Sequence, residues 1–103
     1  MNGETGTEIG DAEEQRKEIL IFLESYEFMK LGQAVNRGQW DSAMMTLRRM
    51  DQKVKKLEIK EFEQPMKGLR LAVSGRNELQ AKQILAMLVA KRVRMREALQ
   101  STK

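Results

Sequence analysis

From Trp40 to Leu57 the apolar residues Trp40, Ala43, Met44, Leu47, Met50, Val54 and Leu57 recur every three or four positions, which lays one stripe along an α-helix. The opposite face carries Arg48, Arg49, Gln52, Lys53, Lys55 and Lys56. One side is therefore to be buried by other helices, while the other meets water or a partner. Upstream, Ile19, Leu20, Phe22, Leu23, Tyr26, Phe28 and Leu31 predict a first helix from about Ala12 to about Arg37. Its apolar face shifts near Gly32, so one curved helix and two abutting shorter ones both fit the pattern. Gly38 then suits the left-handed conformation that ends a helix.

Downstream, Glu58 to Glu61 forms a short connection, and Phe62, Met66, Leu69, Ala72 and Val73 mark a third helix. Proline is tolerated in a first helical turn but costs about 3 kcal/mol in an interior. Pro65 therefore sets the start of this helix near Glu61. Ser74 and Gly75 close it, and Asn77 with Gln80 three residues later gives a box-like cap for the next. The fourth helix, Glu78 to about Gln100, contains seven consecutive apolar residues from Ile84 to Ala90. Such a helix is covered on more than one side, which makes it the central helix or a surface that pairs with another chain.

Ala34, Val35, Ala43, Leu47 and Met50 are echoed at a constant offset of 38 by Ala72, Val73, Ala81, Leu85 and Leu88. Each half reads as helix, glycine-containing turn, helix. Two such hairpins make an all-α, antiparallel, up-and-down four-helix bundle, whereas a solenoid would need about three repeats to be stable. Residues 1–11 are polar, with three glycines, and read as a flexible lead. Asp11 is the expected N-cap of a single helical domain over residues 12–103, with Glu13 and Glu14 favoured in its first turn.

Composition agrees with this class: Leu, Met, Ala, Glu, Lys, Arg and Gln dominate a chain of 103 residues with one proline, and these are good helix formers. Cysteine and histidine are both absent. Thiolate chemistry, a neutral-pH proton shuttle and the common nitrogen ligand of transition metals are thereby removed. Paired carboxylates such as Glu24 and Glu27 have no base beside them, so no catalytic activity, cofactor or metal is expected. No stretch has the length of a membrane span and no signal peptide precedes the domain, so a cytoplasmic location is expected. The net charge of +4 hides an asymmetry: residues 1 to 30 hold eight acids and three bases, and the remainder sixteen bases and seven acids.

The order Ala34-Val35, Arg37-Gly38-Gln39-Trp40, Ala43, Leu47, Leu57-Glu58-Ile59, Phe62, Leu69, Ala72, Asn77, Ala81, Ile84-Leu85 resembles the histidine-containing phosphotransfer (HPt) domain. That family is a four-helix bundle whose second bundle helix displays a phospho-accepting histidine to the receiver domains of two-component signalling. The resemblance covers about Leu31 to Met95 and puts Arg48 at the histidine position. The lysine and glycine that usually follow are Asp51 and Gln52 here. Arginine stays protonated and cannot accept a phosphoryl group by the family's route.

The candidate site is thus Met45, Arg48, Arg49, Gln52 and Lys56, a docking surface for an acidic or receiver-type protein partner, set against the ordinary alternative of a solvated helix face. Met45 lies off the main apolar stripe and would add an adaptable contact. A second expectation is self-association, or an export-chaperone-like role, through the fourth helix around Met87 and Val89. The basic run Lys91, Arg92, Arg94 and Arg96 spreads around its helix without interleaved aromatics, so nucleic acid is not expected as a partner.

Overall fold

The computed structural model describes residues 2–101, with side chains described from Ala12 to Ser101. The helices are α1 (Asn2–Leu23), α2 (Glu27–Asn36), α3 (Trp40–Lys56), α4 (Lys60–Ser74) and α5 (Glu78–Ser101), and no strand occurs among the described residues. The all-helical expectation holds. Contacts join α2 to α3, α3 to α4, α4 to α5 and α5 back to α2, so these four close a ring, and α1 lies against α5. The molecule measures 53 × 23 × 20 Å. The 22 residues of α1 and 24 of α5 correspond to about 33 and 36 Å of helix, which accounts for much of the long axis. Residues 1–11 were expected to form a flexible lead, with Asp11 as the N-cap of the helix that follows. The side chains of that segment lie outside the described residues, while the bounds of α1 begin at Asn2.

Three turns of one design join the ring. Gly38 and Gln39 donate their N–H groups to Val35 and Ala34, Glu58 and Ile59 to Lys55 and Val54, and Arg76 and Asn77 to Val73 and Ala72, all at 2.8–3.2 Å. This crossed pair of bonds satisfies the last carbonyls of a helix and needs a left-handed residue just after it. Gly38 (φ 68°), Glu58 (φ 55°) and Arg76 (φ 53°) fill that place. Gly38 was expected there. Ser74 and Gly75 end α4 as expected, Gly75 with φ −85°, and Arg76 beyond it takes the left-handed position without a glycine's freedom. Gln80 N–H donates to Asn77 Oδ1 at 3.1 Å, the cap expected for α5.

The break between α1 and α2 falls at Glu24–Tyr26, not at Gly32, which lies inside α2. Phe22 and Leu23 are buried, and the next buried apolar residue is Phe28. A spacing of five cannot stay on one helical face, and the positions three and four beyond Leu23 are the exposed Tyr26 and the half-buried, polar Glu27. The turn absorbs the extra residue. It also brings together all three phenylalanines of the chain: Phe22 lies 5.3 Å from Phe28 and 6.3 Å from Phe62, and Phe28 lies 6.3 Å from Phe62. α4 starts at Lys60, one residue from the expected Glu61, so Pro65 sits in its second turn, where it removes one helical hydrogen bond but is buried.

Ala43, Leu47, Met50, Val54 and Leu57 of the α3 stripe are buried, as its period requires. In α5, Ala81, Leu85 and Leu88 are buried, while Met87 and Val89 of the apolar run are 56% and 37% exposed. The helix therefore packs on α1, α2 and α4 and keeps an apolar outer side.

Candidate interaction surface

With the apolar stripe of α3 turned inward, geometry fixes what its other side presents. Met45, Arg48, Gln52 and Lys56 follow at intervals of three, four and four residues and lie on one face. All four are exposed, Met45 at 59%. The flanks of that face are anchored to neighbouring helices. Glu27, at the start of α2, accepts hydrogen bonds from Arg49 Nε and Lys53 Nζ at 3.0 Å each. On the other side Asp51 pairs with Arg70 of α4 at 2.5 Å and with Lys55 at 3.3 Å.

Burial pushes the Glu27 carboxyl up, but the hydrogen bonds and charges of Lys53 and Arg49 outweigh it and hold the group below its ordinary value. Arg49 is thus turned aside from the candidate patch. By helical period Arg49 shares the outer face of α3 with Arg48, and Glu27, 22 residues away along the chain, is beyond any local pattern. Arg48 and Lys56 have no ion-pair partner among the described residues.

The second basic run has a different role. Arg92 Nε donates to the backbone oxygen of Leu23, the last residue of α1, and its guanidinium lies 5.0 Å from the centroid of the Phe28 ring. Arg92 therefore caps one helix and stacks on the next, tying α5 across the break. Lys91 and Arg94 line an apolar cleft between α1, α5 and the α3–α4 turn, opposite Glu58 and Glu61. Gln15 Nε2 donates to Leu57 O at 3.1 Å on its border. The lining of the cleft thus carries two acids and two bases.

No group of three or more acidic side chains that could hold a metal occurs among the described residues. Among the described residues, no helix is long and apolar enough to cross a membrane. Compared with protein-family models, with curated proteins and with solved structures, the chain matches none at a significant level.

Proposed function

We propose that the chain is a non-catalytic interaction module, with α2 to α5 running up and down as two antiparallel hairpins and α3 docking an acidic protein surface. The observation that carries this reading is the contrast within one helix. Arg49, Lys53 and Lys55 are held by Glu27 and Asp51, whereas Arg48 and Lys56 stand unpaired on an exposed face with Met45 and Gln52. A guanidinium held free of internal partners is suited to bidentate contact with a carboxylate, and a neighbouring methionine adapts to an apolar rim. On the resemblance to the phosphotransfer domain, Arg48 stands where the phospho-accepting histidine would be. Such a chain would keep receiver docking and lose transfer.

Titration against a panel of receiver domains tests this. Arg48→Glu combined with Lys56→Glu should weaken binding at least tenfold, since reversing charge at a complementary surface adds repulsion, with the melting temperature at high salt unchanged. Equal binding by the variant, or no receiver bound by the native chain, removes the proposal.

A second reading, self-association or chaperone-like binding of apolar segments, is favoured by Leu71 (68%), Leu79 (70%) and Met87 (56%), which stand exposed on α4 and α5. Its signature is binding that survives high salt and is lost in Leu79→Lys with Met87→Lys.

A further inference from the structure

The basic strip of α3 does not stand alone. A groove between α1 and α3 is lined by Glu18, Ile21, Lys53 and Lys56, among others, so the Lys56 end of the strip runs into the side of α1. There Glu14, Glu18 and Ile21 follow at intervals of four and three residues and share a face. All three are exposed, Ile21 at 69%. Neither Glu14 nor Glu18 has an ion-pair partner among the described residues. One continuous surface therefore carries an acidic strip with an exposed isoleucine on one side of the groove, and a basic strip with an exposed methionine on the other.

We infer that a second copy of this chain covers this surface about a two-fold axis near the groove, the acidic strip of α1 in each copy lying on the basic strip of α3 in the other. A two-fold interface uses the same patch twice and requires it to be self-complementary. A surface split into an acidic and a basic half meets that requirement, because the rotation exchanges the halves. All four unpaired charges, Glu14, Glu18, Arg48 and Lys56, then gain partners at once, and Ile21 and Met45 lose solvent. The inference rests on the docking role proposed for α3 and adds its regulation: the second copy competes with an acidic partner for the same strip.

Sedimentation equilibrium of the full chain, at low and at high salt, tests it. The native chain should dimerise at low salt and dissociate at high salt. Glu14→Lys with Glu18→Lys, and separately Arg48→Glu with Lys56→Glu, should each weaken self-association by roughly a hundredfold, because every cross-contact becomes a like-charge pair. An equimolar mixture of the two double variants should form a heterodimer, since each face then meets its opposite, and this recovery excludes misfolding as the cause of the loss.

A native chain that is monomeric at high concentration in low salt overturns the inference. So does a dimer that neither double variant affects, which would place self-association on the α5 side. The proposed function fails separately. If the Arg48 and Lys56 variant binds receiver domains normally yet dimerises only in the mixture, α3 is a self-association face alone. If the Glu14 and Glu18 variant binds them normally and the mixture stays monomeric, the docking role stands without the dimer.

Discussion

Glu27 shows how a single side chain decides which cations remain available. Its carboxyl value lies below the ordinary 4.5 in the folded chain, so folding favours the ionised form, and that stabilisation is present above the unfolded value and is lost as pH falls through the folded one. Glu27→Gln should cost about 1 kcal/mol at neutral pH, and urea titrations of variant and native chain should converge as pH is lowered below 4.5. The same substitution frees Arg49 and Lys53, enlarging the exposed positive face.

The left-handed residues give an opposed pair of predictions. Gly38→Ala at φ 68° should destabilise by about 1 kcal/mol. Arg76→Gly at φ 53° should stabilise by roughly 0.5 kcal/mol, the relief of strain exceeding the extra entropy of the unfolded chain. Thermal denaturation of both distinguishes them by sign.

Among the elements, those legible in the sequence were those whose burial follows one period. The α3 stripe and the Asn77 cap sit where periodicity and capping chemistry put them, because both depend on residues within a turn or two of each other. The break after α1 was misplaced. Gly32 is the conspicuous residue, yet the chain turns at Glu24–Tyr26, where the spacing between Leu23 and Phe28 loses phase and distant residues stabilise the outcome. Arg92, 69 positions from Leu23, and the ring of Phe62 are invisible to any local window. Arg92→Ala should lower stability by about 1–2 kcal/mol and raise amide exchange chiefly at the C-terminal turn of α1. Phe62→Ala, which removes the shared neighbour of Phe22 and Phe28, should cost about 3–5 kcal/mol across the whole domain. The candidate site was legible in part for the same reason: its strip on α3 is a local pattern, but the withdrawal of Arg49 and the acidic strip of α1 beside it depend on how helices meet.

At the scale of the molecule, the ion pairs found among α2 to α5 do not involve Arg48 and Lys56, which leaves the proposed docking face separable from stability. Calorimetric titration of a receiver domain into the native chain and into Arg48→Glu with Lys56→Glu, each paired with its melting curve, measures that separation directly. The account predicts at least a tenfold loss of affinity, with melting curves that superimpose at high salt, where neither chain self-associates. Undiminished affinity in the variant, or a high-salt melting curve that falls together with binding, would contradict it.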